Sequence, residues 1–453
     1  MHLTDLNRQG GIGANSLLLE IGPFRVLVDA GLHPKEVGTE ALPDLARLDE
    51  YALDLILVTH CHLDHLGGLP LVARRHPEAE IWLSYESSVL APRMMRNSIR
   101  VMSRQREEQG VSEYPLYTER EVRQLEDRFH AVPTGRPEAF HQHGEELTVE
   151  FLHAGHVPGA VSIRLTHGGQ SVLFSGDILF TDQRILPGAD PEEAGHADVL
   201  VLETTRGASA REPGQDRESE VQRLIESVAA TVRAGGSVLL PVFALGRMQE
   251  ILTILAEAVR RRQIPEVPVY ASGLGMDLAN YFDELSRKNR PLRFRRQILR
   301  ELKLQKTPRA IEPGRPPPGP AIYVASSGMV VENTPSYQLA AALLGDPGNL
   351  LAFVGYCDPE APGYAILQSR PGETLLFDAL DYTTVRRARV ERFDLSGHAD
   401  REELLDYAIR VNPHTVVLSH GDPEARAWFE EELYASVLDA QVIDPEPGVR
   451  ISL

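Results

Sequence analysis

Cysteine is scarce in this chain. Of 453 residues only 2 are cysteines, Cys61 and Cys357. A disulfide framework is not indicated, and the pair forms no Cys-x-x-Cys metal site. Long apolar runs are missing too: no stretch approaches the roughly 20 residues of a helical membrane span. The opening segment MHLTDLNRQGGIGANSLLLEIG lacks the basic-then-apolar layout of a secretory signal, so a cytoplasmic protein without a membrane partner is expected. Positive charge is in deficit: 46 Lys and Arg face 65 Asp and Glu, a net charge of −19. Such a surface repels phosphate backbones and argues against a generic nucleic-acid binder. There are no internal repeats, and the one stiff tract is EPGRPPPGP, residues 312–320.

One stretch reverses the charge deficit. Residues 286–309, SRKNRPLRFRRQILRELKLQKTPR, carry ten Lys or Arg and a single acid, Glu301. They read either as a solvated helix face or as a local track for a polyanion. The length exceeds one ordinary core, so two domains, or one with a large insertion, are expected.

What is present is a series of short apolar runs, each ending in a polar residue. RVLVDAG leads to Asp29, LDLILVTHCHLDH to a histidine cluster, SVLFSGD to Asp177, ADVLVLETT to Glu203 and TVVLSHGD to His420. Runs of Val, Ile and Leu bounded by turn residues predict buried strands, and functional groups at strand ends are the layout of an α/β site. From about 206 to 375 the pattern becomes strand, helix, strand in series. ESEVQRLIESVAATVRAGG has Val221, Leu224, Ile225, Val228 and Val232 at helical spacing. A second, doubly wound α/β domain is expected there.

THCHLDHLGG supplies His60, His62, Asp64 and His65. Spaced by two at a strand end, His60 and His62 point to one side and can share a metal. Asp64 and His65 follow in the turn and could face a second ion. Imidazole with carboxylate suits zinc, with manganese or iron as alternatives. Further ligand candidates are His153, His156, Asp177 and His420, and the Asp177 carboxylate could give one oxygen to each ion. In FDLSGHADREELLDYA, Asp400 and Glu403 form a capping box with Leu404, Leu405 and Ala408 as the buried face, so His398 stands on a strand-to-helix turn.

THCHLDHLGGLP, AGHVPGA, FSGDI and LVDAG, in this chain, resemble the metallo-β-lactamase superfamily. LVLETT, PVFALGRMQEIL, ASSGM, FVGY, LSGHAD and LSHGD resemble its β-CASP branch, which includes the polyadenylation cleavage nuclease and short bacterial ribonucleases. The resemblance implies an α/β fold: a metallo-β-lactamase αββα sandwich in two parts, 1–205 and 375–453, with a doubly wound β-CASP domain, 206–374, inserted between them. It implies one zinc ion (manganese being possible) on His60, His62 and His156, a second on Asp64, His65 and His420, Asp177 bridging, and Asp29 orienting the site from behind the ligands. The implied reaction is two-metal hydroxide attack on the phosphodiester of single-stranded RNA. His398 is the implied general acid and Glu203 its partner; with Asp64 they are the expected catalytic groups. A homodimer fits the family.

Two further readings concern phosphate. Arg247, at the start of a helix, reads as a bidentate phosphate grip or as a capping or ion-pairing arginine. Ser326, Ser327 and Gly328 follow a strand and read as the start of a helix with an anion nest, or as a tight turn. The chain departs from the family pattern at Arg206, after Met329 and after Tyr356, which bears on substrate choice rather than on metal chemistry. The competing functions are a DNA nuclease of the same family, a small-substrate hydrolase and an inactive binding subunit.

Overall fold

Each apolar run forms a strand, because alternate residues bury against opposite layers. In the computed structural model, which describes residues 1–50, 52–212, 214–288, 291–308, 310–437 and 440–453, the chain divides into two compact units. The first comprises Met1–Asp182, Gly188–Ala210 and His398–Leu453, the second Gln183–Pro187 and Arg211–Gly397.

The first unit holds two seven-stranded sheets. In one, strands Phe24–Val28, Leu55–Val58 and Glu80–Ser84 run parallel. In the other, Gln170–Phe174, Val199–Glu203, Thr415–Ser419 and Gln441–Ile443 run parallel in that order. One apolar cluster joins the sheets, with Phe24, Val26 and Leu57 from the first meeting Phe151, Ile163, Phe174 and Val201 from the second. Helices such as Tyr85–Gln109 and Arg401–Val411 belong to the same unit. This is the expected αββα sandwich, and its parallel strands present their C-terminal ends side by side.

The second unit is built on a five-stranded parallel sheet of Val269–Ala271, Ile322–Ala325, Val238–Pro241, Leu350–Phe353 and Arg389–Arg392, in that order. Helix Arg217–Arg233 buries the predicted Val221, Leu224, Ile225, Val228 and Val232. The unit extends past the expected limit at 374, because Arg389–Arg392 pairs with Leu350–Phe353 and completes the sheet; its start falls at Arg211 rather than 206. In the basic stretch, Arg287 and Lys288 pair with Asp283 and Glu284 one turn back, and Lys303 pairs with Glu266, as a solvated helix face requires. Arg296, Arg300, Lys303 and Lys306 also line one groove. Asn289, Arg290 and Arg309 of that stretch lie outside the described residues. Among the described residues no helix is long and apolar enough to cross a membrane.

Candidate metal centre

The site lies in the first unit, beyond the C-terminal ends of its parallel strands. Strand Leu55–Val58 stops short of His60. His60 and His62 therefore sit on the loop after the strand, not on its last residues, and His62 directly precedes the short helix Leu63–Leu66 that carries Asp64 and His65. This loop is packed tightly against Gly31: a Cβ there would meet the Asp64 carbonyl oxygen at 1.8 Å. Asp29 and His420, both directly after strands, adopt left-handed backbones with φ of 63° and 46°. Such conformations in non-glycine residues gather where a side chain must be aimed.

Four groups converge first. His62 Nδ1 is 3.1 Å from both His60 Nε2 and His156 Nε2, and Asp177 Oδ2 is 3.6 Å from each of those two nitrogens. Zinc–nitrogen bonds of about 2.0–2.1 Å in tetrahedral array place ligand atoms roughly 3.3–3.4 Å apart, so the cluster has the spacing of a ligand cage. The second group is Asp64, His65 and His420. His420 Nε2 lies 3.4 Å from Asp64 Oδ2, and His65 Nε2 lies 3.5 Å from Asp177 Oδ1. Asp177 thus turns one oxygen toward each group. His62 Nε2, His65 Nε2 and Asp177 Oδ1 are buried with no hydrogen-bond partner, which leaves His65 Nε2 and Asp177 Oδ1 with lone pairs for a cation. The residues present fit divalent metal ions.

Charge points the same way. Burial pushes His60 and His62 below the ordinary imidazole range and favours their neutral, ligand forms. Burial also opposes protonation of His65, but Asp177, Asp29 and Asp64 outweigh it and raise it to about 10. The carboxylates therefore demand positive charge here, which bound cations would satisfy in place of protons.

Behind the ligands stand two hydroxyls that the sequence reading missed. Thr59 Oγ1 lies 2.7 Å from Asp29 Oδ2 and 3.2 Å from His60 Nδ1. Thr205 Oγ1 bonds Glu203 Oε2 and lies 3.0 Å from His420 Nδ1. A hydroxyl has one proton, and a carboxylate only accepts, so each threonine gives its proton to the acid and takes the Nδ1–H of the histidine. His60 and His420 are left with Nε2 unprotonated, the tautomer a ligand needs. Asp29 does the same directly for His65, at 2.7 Å from Nδ1. The signal was local: Thr59 directly precedes His60 in THCHLDH, and Thr205 stands two residues after Glu203 in LETT.

His398 belongs to neither ligand group. Its Nδ1 is 3.1 and 3.0 Å from the two Glu203 oxygens, and its Nε2 is 4.0 Å from Asp177 Oδ2. Burial opposes its protonation, yet Glu203 and Asp177 raise it above the ordinary imidazole value. Glu203 Oε1 also accepts from Ile178 N at 2.7 Å, and Ile178 O accepts from Ala399 N at 2.7 Å. The histidine loop and its carboxylate are thus tied to one strand end. The capping box of Asp400 and Glu403 forms as expected, with Leu404, Tyr407, Ala408 and Val411 buried; Leu405 is only half-buried.

The other candidates fare differently. His153 ends strand Glu145–His153 and joins no His/Asp group among the described residues. Cys61 is buried, with Sγ–H toward Ser87 O at 3.5 Å. Arg247 belongs to the second unit, where its buried guanidinium donates to Leu395 O at 3.0 Å and to the Gln183 side chain. Burial lowers it to about 9; it is a packing group rather than a free phosphate grip. Ser326, Ser327 and Gly328 form a turn, not a helix start: Ser327 Oγ accepts from Val331 N at 2.9 Å, and the helix begins at Pro335.

Comparison with known proteins accords with this geometry. Three family profiles match: the metallo-beta-lactamase superfamily over residues 10–229, the Beta-Casp domain over 248–366 and the Zn-dependent metallo-hydrolase RNA specificity domain over 384–441. The endoribonuclease YSH1 of Candida glabrata is 28% identical over 442 residues, 94% of this chain and 55% of its own length. Cleavage and polyadenylation specificity factor 73 of Drosophila melanogaster is 29% identical over 426 residues, 91% of this chain and 58% of its own length. The chain spans little more than half the length of these curated relatives. A crystal structure of a protein of unknown function from Enterococcus faecalis V583 has a TM-score of 0.58 at 15% identity, covering 100% of this chain and 99% of that one, and so shares the fold.

Proposed function

For a chain that belongs to the β-CASP branch of the metallo-β-lactamase superfamily, we propose hydrolysis of phosphodiester bonds in single-stranded RNA, with His60, His62 and His156 holding one zinc or manganese ion, Asp64, His65 and His420 a second, and Asp177 shared. The observation that carries this reading is the placement of His398: outside both ligand groups, facing Asp177, with Nδ1 held by both oxygens of Glu203. A small-substrate hydrolase has less need of a positioned proton donor, whereas a sugar alkoxide leaves poorly without one.

Two bound divalent ions would supply charge neutralisation at the phosphate and activation of water at neutral pH. The protein's own residues do the rest. Glu203 holds Nδ1–H of His398 and favours the imidazolium, and Nε2–H is the proton that passes to the leaving oxygen. The Glu203 oxygens also accept from Ile178 N and Thr205 Oγ1, which fixes the carboxylate in place. Asp29, Thr59 and Thr205 keep the ligand nitrogens aimed and unprotonated.

The choice of RNA over DNA draws on the matched RNA specificity profile and on relatives that are named endoribonucleases. A cytoplasmic location and a homodimer are retained as parts of the proposal. The test is digestion of end-labelled RNA and a DNA of the same sequence by metal-loaded protein. RNA cleavage is expected, with loss of about 10²–10⁴-fold in turnover for His398→Ala at unchanged metal content. Preference for DNA would shift the reading to the DNA nuclease; cleavage of neither would remove it.

A further inference from the structure

All the groups above lie beyond the C-terminal ends of the parallel strands. A separate ligand-type group stands at the opposite end of two of them. Asp198 immediately precedes strand Val199–Glu203, with His196 two residues earlier, and His414 immediately precedes strand Thr415–Ser419. These strands are parallel neighbours, with Val199 opposite Thr415. One ligand atom from each of His196, Asp198 and His414 lies within 4.8 Å of the others. A five-residue strand separates this cluster from Glu203 and His420, roughly 16 Å at about 3.3 Å per residue.

The cluster is held as ligands are held. Asp198 Oδ2 accepts from Ser171 N at 2.7 Å and from Ser171 Oγ at 2.8 Å. Its Oδ1 faces His196 Nε2 at 3.8 Å. His196 Nδ1 lies 3.2 Å from Val411 O. A carbonyl only accepts, so Nδ1 carries a proton, and Nε2 is the nitrogen on the Asp198 side that a metal would take. That is the arrangement by which a backbone carbonyl fixes the tautomer of a metal-binding histidine. His414 is anchored through its backbone, with N donating to Asp198 O at 2.9 Å. The two imidazoles are exposed and Asp198 half-exposed, so an ion reaches the cluster from solvent. The two exposed rings have their centroids 6.0 Å apart.

We propose that His196, Asp198 and His414 form an additional transition-metal site, distinct from the main centre, that clamps the N-terminal ends of the two strands. Two imidazoles and one carboxylate suit zinc, nickel or copper, with water completing the shell. The proposal concerns metal binding and does not rest on the nuclease reading.

The test uses the full chain without a histidine tag, its main centre first filled with zinc. The protein is dialysed to equilibrium against nickel, and both metals are counted. Wild type, and His141→Ala as an exposed-histidine control, are expected to take up one nickel ion per chain beyond the zinc. His196→Ala and His414→Ala are expected to lose that ion while keeping the wild-type zinc content, which also shows that they fold. With copper, the resonance spectrum is expected to show two coordinated nitrogens in the wild type and one in each variant. Equal nickel uptake by wild type and the two variants overturns the proposal, as does an absence of uptake by the wild type.

Discussion

Thr205 Oγ1 lies 3.0 Å from His420 Nδ1. This is shorter than the 3.4 Å from that nitrogen to Asp177 Oδ1, and the same hydroxyl also bonds Glu203. One side chain therefore connects a ligand histidine to the carboxylate that holds His398. Thr205→Val keeps the shape and removes both bonds. It is expected to weaken binding of one metal ion about 10–100-fold and to cost about 1–3 kcal/mol of stability, from buried polar groups left unpaired. Chelator competition and urea unfolding measure the two effects; unchanged metal affinity would disprove the link.

If His398 donates the proton to the leaving oxygen, a leaving group that needs no proton should make it dispensable. An RNA with sulfur in place of the leaving oxygen is expected to be cut by His398→Ala at close to the wild-type rate, while ordinary RNA is not. A variant equally slow on both substrates would assign His398 to structure.

Asp29 holds His65 and Thr59 together. Asn tolerates the left-handed backbone at this position, so Asp29→Asn isolates the charge and the acceptor. The variant is expected to fold normally and to bind metal about 10–100-fold more weakly. Wild-type affinity in a metal titration would remove Asp29 from this role.

Burial pushes the Asp5 carboxyl up from its ordinary value to about 6, against the bond it accepts from Asn7 N at 2.8 Å. Between about pH 4 and pH 6 the native chain keeps a proton that the unfolded chain has released. Stability therefore falls as pH rises through that window, and the loss is complete above it. Asp5→Asn keeps the acceptor without the charge. It is expected to exceed the wild type at pH 7.5 by up to about 2–3 kcal/mol and to match it near pH 4. Urea titrations at the two pH values check this; a wild-type advantage that grows with pH would contradict it.

Gly31 has no room for a methyl group against the Asp64 carbonyl, which itself accepts from Asn15 N at 2.8 Å. Gly31→Ala is expected to cost about 1–3 kcal/mol and to lower metal affinity by displacing Asp64. An unaltered melting temperature and metal content would show that the loop yields freely.

The sequence by itself was enough to point to a metal centre. His-x-His-x-Asp-His on one loop, with His156, Asp177 and His420 each just beyond an apolar run, restricts the choice to a metal centre at strand ends, because parallel strands deliver such residues to one edge. The helical spacing in 217–233 likewise determined which face is buried. Tertiary structure alone decided what surrounds those groups. Thr59 and Thr205 look like ordinary neighbours in sequence, and their relay role appears only when Asp29, His60, Glu203 and His420 come together across two sheets. Arg247 read as a phosphate grip or a structural arginine, and only the tertiary structure shows its guanidinium buried and donating to Leu395 O and the Gln183 side chain. Strand Arg389–Arg392 joined the second unit through pairing with residues 350–353, a partner no local pattern announces. The cluster of His196, Asp198 and His414 shows the same division. Its members are more than 200 positions apart in part, and only the parallel register of Val199 with Thr415 makes them neighbours. Residue type and spacing set the available chemistry; long-range strand pairing determines which groups share a proton, a charge or an ion.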